Sequence, residues 1–72
     1  MPRGTITRVE PRLGFGLIVD DAGMDWFFVR EGVCDGAIDD LEQMERVTFS
    51  FEWTSKGPRA TEISLERRPK AR

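Results

Sequence analysis

Leu13-Gly14-Phe15-Gly16-Leu17-Ile18 is the stretch on which the fold turns. It is an apolar run with a glycine on each side of one phenylalanine. Val19 extends it as a strand up to Asp20-Asp21-Ala22-Gly23, a turn sequence. Glycine inside a strand weakens it, because it brings no side chain and orders at an entropic cost. Two of them beside one ring have two physical explanations. One is an open surface on which Phe15 stands free and a ligand can reach the backbone. The other is a bulge or barrel corner where glycine relieves crowding. The local pattern leaves both open.

Upstream, Gly4-Thr5-Ile6-Thr7-Arg8-Val9-Glu10 is rich in β-branched residues and reads as a strand. Pro11 ends it, since proline cannot donate to a sheet ladder. Downstream, the turn at 20–23 makes a hairpin with Asp25-Trp26-Phe27-Phe28-Val29-Arg30. Successive strand residues face opposite sides. Trp26 and Phe28 therefore share one face, assigned to the core, and Phe27 and Val29 share the other, which offers apolar surface to a partner. Residues 31–45 hold Gly32, Gly36 and a dense acidic run and read as a long loop with room for one helical turn. Val47-Thr48-Phe49-Ser50-Phe51-Glu52-Trp53 is the cleanest alternation, with Val47, Phe49, Phe51 and Trp53 expected to face the core. Thr54 to Pro58 is a turn, and Arg59 to Leu65 is the last strand, with Thr61, Ile63 and Leu65 on one face. Residues 1–66 form the expected domain, and 67–72 a flexible basic tail. Five short strands without a long helix give an all-β sandwich or small barrel. At 72 residues closure is favoured, because it removes exposed edges.

So small a chain is one domain and buries only about 60% of the surface it exposes when unfolded, which leaves little room for an enclosed catalytic pocket. Net charge is −2, but its distribution says more than its sum. Residues 17–45 carry nine carboxylates against one arginine, while 1–16 and 46–72 are net basic. If the ends meet in space, an acidic protein can still present a basic patch. The single Cys34 forms no internal disulfide, suits a reducing compartment and reads as a small semi-buried apolar residue. No apolar run reaches the ~20 residues of a membrane span, so a cytoplasmic protein is expected. There is no histidine or tyrosine, and no serine or cysteine beside an evident base, so no enzyme, cofactor or small-molecule substrate is expected. Asp20, Asp21 and Asp25 lack the spacing of a calcium loop, and a hairpin turn explains them without metal.

The order and spacing of these segments resemble the cold-shock domain. Gly14-Phe15-Gly16-Leu17-Ile18 is similar to its first motif, usually Lys-Gly-Phe-Gly-Phe-Ile, and Asp25-Trp26-Phe27-Phe28-Val29-Arg30 to its second, usually Asp-Val-Phe-Val-His-Phe. Leu41 and Val47-Thr48-Phe49 fit the fourth strand, and Lys56-Gly57-Pro58-Arg59-Ala60 resembles the segment before the last. The resemblance spans roughly Gly4 to Ser64. It implies a five-stranded antiparallel OB-type β-barrel that binds single-stranded RNA or DNA with low sequence specificity, with an RNA-chaperone role. Carried over by position, the contacts are Arg8, Phe15, Leu17, Asp25, Phe27, Val29, Arg30, Lys56 and Arg59.

Several of these depart from the family pattern. Arg8 stands where a stacking tryptophan is usual and Thr7 where a lysine is. Leu17 replaces the second phenylalanine of the first motif. Val29 and Arg30 replace the histidine and final phenylalanine of the second, and Ile38 aligns with the loop phenylalanine. Arg8 and Arg30 can stack on bases and pair with phosphate, or stand as solvated arginines paired with Glu10 or Asp25. Leu17, Val29 and Ile38 offer apolar contact without a π face. Asp25 can accept a hydrogen bond from a base or serve only the turn. Trp53 aligns with a polar position and either extends the binding face or caps the barrel. With so much of the platform altered, a protein partner or structural role is the competing function.

Overall fold

The computed structural model describes residues 2–34 and 38–66. Five strands, β1 (Arg3–Glu10), β2 (Phe15–Asp20), β3 (Asp25–Val29), β4 (Arg46–Thr54) and β5 (Gly57–Leu65), close into a barrel in the order β1-β2-β3-β5-β4. Every seam is antiparallel except β3–β5, which runs parallel through Phe27 and Arg59 and continues as a bridge between Val33 and Ile63. The exception follows from number: alternating directions cannot close around an odd count of strands. The expected basic tail, 67–72, lies outside the described residues.

The core is made by alternation. Ile6, Ile18, Phe28, Val47, Phe49 and Ile63 are wholly buried, joined by Trp26, Ala60 and Leu65. Gly16 belongs to this packing, for a Cβ there would meet the Phe28 ring at 2.4 Å and the Arg8 carbonyl oxygen at 2.5 Å. Gly14 serves the turn instead, with φ of +81° and its amide donating to the Glu10 carbonyl at 2.8 Å. Between them the Phe15 ring faces outward, half-buried. Both explanations of the double glycine therefore hold, each for its own residue.

The expected long loop contains two 3-10 turns, Arg30–Gly32 and Ile38–Asp40. The second seats Ile38 in the core, and Leu41, whose amide donates to the Ile38 carbonyl, joins it there. Wholly buried, Ile38 cannot offer the ligand contact expected of it. Cys34, expected to be semi-buried, is exposed; its backbone amide donates to the Ile63 carbonyl and leaves the thiol outside.

The alternation of β4 holds for Val47 and Phe49 and then fails: Phe51 is 49% and Trp53 65% exposed. The strand outruns the barrel, because it pairs with β1 only at Arg46, Val47 and Thr48. Beyond Phe49, whose amide still donates to the Pro2 carbonyl, it pairs with β5, and its inward face packs on the Trp26 ring, at centroid distances of 4.9 Å for Phe51 and 5.6 Å for Trp53. In β5 the expected face also shifts. Ala60 is buried rather than Thr61, because Glu62, at φ +52°, bulges the strand between the pairs Ser50–Thr61 and Thr48–Ser64.

Candidate nucleic-acid interface

One register row crosses four strands: Arg8 opposite Leu17, Leu17 opposite Phe27, Phe27 opposite Arg59. A second row sets Glu10 opposite Phe15 and Phe15 opposite Val29. Since Gly16, Ile18, Trp26 and Phe28 point inward, Phe15, Leu17, Phe27 and Val29 share the outer face. The Phe15 and Phe27 rings stack at 5.8 Å between centroids and 22° between planes. Phe27 remains 39% exposed.

Arg8 reaches this face through a bulge. Strict alternation from the buried Ile6 would send residue 8 into the core. The register slips between Ile6 and Arg8, so Thr7 and Arg8 are both exposed. The Arg8 guanidinium carbon then stands 5.7 Å from the Phe15 centroid, a cation–π contact worth about 0.5–1 kcal/mol at an exposed site. Its Nε also donates to Glu10 Oε2 at 3.1 Å. Arg8 is thus both a stacked cation and the ion-pair partner of Glu10.

Arg30 is the first residue of a 3-10 turn rather than the end of β3. Its backbone amide donates to the Gly14 carbonyl at 2.9 Å and its Nη2 to the Pro11 carbonyl at 3.2 Å, which folds the side chain over Gly14 beside the platform. Among the described residues it has no carboxylate partner, so the expected pairing with Asp25 or Glu10 does not form. Asp25 is exposed at the start of β3, on the same outward side as Phe27.

Arg59 is half-buried on β5, beside Phe27 and opposite Glu52. It borders a cleft of about 210 Å³ lined also by Val29, Glu31, Gly32 and Glu52. Lys56 is not brought against the rings. It sits in the β4–β5 turn, three residues before Arg59 and past the start of β3. Glu52, the carboxylate that faces Arg59, was absent from the expected site, although the β4 alternation places it outside with Thr48 and Ser50.

Asp20, Asp21, Glu66, Arg3 and Arg46 are engaged elsewhere. Asp20 Oδ1 accepts the backbone amides of Ala22 and Met24 at 2.9 and 2.8 Å, and its Oδ2 accepts the Trp26 indole N–H at 2.9 Å. These bonds, that from Trp26 first, hold its carboxyl below the usual range. Asp21 is lowered chiefly by a two-bond contact with Arg46, at 2.8 and 3.1 Å. Glu66 meets Arg46 and Arg3 at 3.4 and 3.3 Å. Arg3 near one end and Glu66 near the other meet here, so that Arg3 and Arg46 are neutralised at the end of β2, away from Phe15.

No family model matches the chain. It is 33% identical over 66 residues to the cold shock protein of Arthrobacter globiformis, a match that covers 90% of this chain and 98% of that protein. The chain belongs to the cold-shock protein family. The five-stranded barrel agrees with that membership, and nucleic-acid binding is general in the family. Among the described residues no helix is long and apolar enough to cross a membrane.

Proposed function

We propose that this cold-shock family member binds single-stranded RNA or DNA on the outer face of β1, β2 and β3, with low sequence specificity. It holds strands unpaired, as an RNA chaperone does, by competing for exposed bases. The stacked pair Phe15–Phe27, with Arg8 over one ring, is the observation that carries this reading. Bases stack on such rings for about 1–3 kcal/mol each. Leu17 and Val29 stand beside the stacked rings on the same face, Arg30 and Arg59 flank it, and Lys56 and Asp25 stand at its edge. Where the family has rings, this chain has Arg8, Leu17, Val29 and Arg30, so binding is weaker than is typical and leans more on charge.

The test is a titration with pyrimidine-rich oligonucleotides at low salt, followed by Trp26 and Trp53 fluorescence and by NMR shifts. The expected result is saturable binding with shifts at Phe15 and Phe27, weakened by about 1–3 kcal/mol in Phe27→Ala. No saturable change, with both ring signals unmoved, would overturn the proposal. The carboxylates of Glu10, Asp25 and Glu52 around the rings favour a second reading, a contact with a protein partner. A partner whose binding is indifferent to added oligonucleotide would support it.

A further inference from the structure

The outer register row does not stop at the rings. Phe27 stands opposite Arg59, and Arg59 opposite Glu52 on β4. Ala60, next to Arg59, is buried, so Arg59 and Glu52 point outward as Phe27 does. The cleft of about 210 Å³ lies beside this row. Two of the residues that line it already belong to the platform or flank it: Val29, opposite Phe15, and Arg59. Adjacent strands lie about 5 Å apart, so the cleft begins one strand from the Phe27 ring. Glu31, Cys34, Glu52 and Glu62 line it too.

These charges suit a base and oppose a phosphate. Glu62 is engaged, accepting the Ser50 hydroxyl at 2.9 Å. Glu31, Glu52 and Arg59 form no ion pair among the described residues, although Glu52 and Arg59 face each other across the β4–β5 ladder. The cleft thus offers carboxylate acceptors beside a guanidinium with its fork of N–H donors. Its carboxylates repel the backbone of a nucleic acid, whereas a base carries no charge. Cytosine meets both kinds of partner, giving an amino N–H to a carboxylate and taking an N–H from arginine on the acceptor beside it. Uracil has a carbonyl oxygen where cytosine has the amino group. Its one N–H lies between two such oxygens, so a carboxylate that accepts it meets an acceptor on either side.

We propose that this cleft is a selective subsite, which takes one amino-bearing base from a strand lying on the platform, in preference to uracil or thymine. Glu52 and Glu31 accept from the amino group. Arg59 donates to the acceptor beside it, and its remaining N–H groups stay available to phosphate. This rests on the nucleic-acid reading of the outer face. It adds selection at one position of the strand to a face that elsewhere takes any base. Cys34 gives an independent readout, for it is the only cysteine of the chain and its residue is exposed at the same cleft. A base in the cleft covers it.

The experiment measures binding of labelled oligodeoxycytidylate and oligodeoxyuridylate hexamers by anisotropy, and follows alkylation of Cys34 by iodoacetamide in the saturated complexes. The proteins are the intact chain, Glu52→Gln, Glu31→Gln, the double variant and Phe27→Ala, each checked by thermal melting. The intact chain is expected to bind the cytidine hexamer about 5-fold or more tighter than the uridine one. In that complex its thiol is expected to react more slowly than in the free protein. The glutamine variants are expected to bring the two affinities together, since an amide also offers N–H groups that suit the carbonyls of uracil. Phe27→Ala is expected to weaken both hexamers and keep their ratio. The subsite is wrong if the intact chain binds both hexamers alike, if the preference survives in the double variant, or if the bound thiol reacts as fast as the free one. In each of these cases the platform stands as long as Phe27→Ala weakens both hexamers. If the intact chain binds neither hexamer, both readings fail. If the glutamine variants change only the binding of a lysine-rich peptide, the cleft is a protein contact and the proposal falls.

Discussion

Gly16 lies on β2 between β1 and β3, and its lack of a side chain leaves room for the Phe28 ring and the Arg8 carbonyl. A methyl group there would meet both a buried ring and the backbone oxygen of the neighbouring strand, and only the ring could yield. Gly16→Ala is therefore expected to destabilise by about 1–3 kcal/mol, read as a fall in the urea midpoint at unchanged slope. Phe15, one residue earlier, should behave in the opposite way. Its ring packs on Phe27 and Arg8 at the surface rather than in the core. Phe15→Leu keeps apolar volume and removes the π face, so it is expected to change stability by less than about 1 kcal/mol. Oligonucleotide binding should weaken by about 1–3 kcal/mol. A variant that loses stability but not binding would assign Phe15 to the fold alone.

At the scale of the element, the β2–β3 hairpin depends on two carboxylates. Asp20 ties the turn to the Trp26 indole, and Asp21 ties it to Arg46 on β4. Both are held below the usual carboxylate range. A carboxyl whose folded-state value is depressed stabilises fully at neutral pH, and loses that contribution as pH falls from about 4 down through the lowered value. The thermal midpoint should thus be flat above pH 5 and drop in acid. Asp20→Asn should lower the midpoint at pH 7 and flatten the acid drop, because its amide nitrogen cannot accept the indole N–H. An acid profile identical to that of the parent would show that Asp20 does not carry the effect. The hairpin itself was legible in Asp20-Asp21-Ala22-Gly23, and the inward set Trp26 and Phe28 in the alternation of β3. What the sequence could not show is where one element outlasts its neighbours. The pattern of Val47, Phe49, Phe51 and Trp53 is unbroken, yet it turns from core to surface where β1 stops pairing with β4. The bulges at Thr7 and Glu62 were equally hidden, since neither has glycine to mark it. One of them decides that Arg8 belongs to the outer face at all.

For the whole molecule, the proposed function requires a chain of net charge −2 to hold a polyanion. The acidic stretch 17–45 contributes Asp20 and Asp21 to the hairpin and its ion pairs, and the basic ends contribute Arg3 and Arg46 to the same cluster. Four cations then border the proposed path: Arg8, Arg30, Arg59 and Lys56. Each phosphate neutralised on a single strand contributes about 0.7 to the slope of log affinity against log salt, so four give a slope of about −3. Removing the charge at any one, as in Arg30→Gln or Lys56→Gln, should make the slope shallower by about 0.7. Arg8 differs from the rest, because Glu10 already holds it. Glu10→Gln should therefore strengthen binding at low salt, by freeing Arg8 for phosphate and removing a repelling carboxylate. Binding measured between 20 and 200 mM salt, taken as about one decade, resolves these differences. A slope near zero in the intact chain, unmoved by the glutamine variants, would mean that the cations are only solvated surface. In that case the rings would have to account for all the affinity.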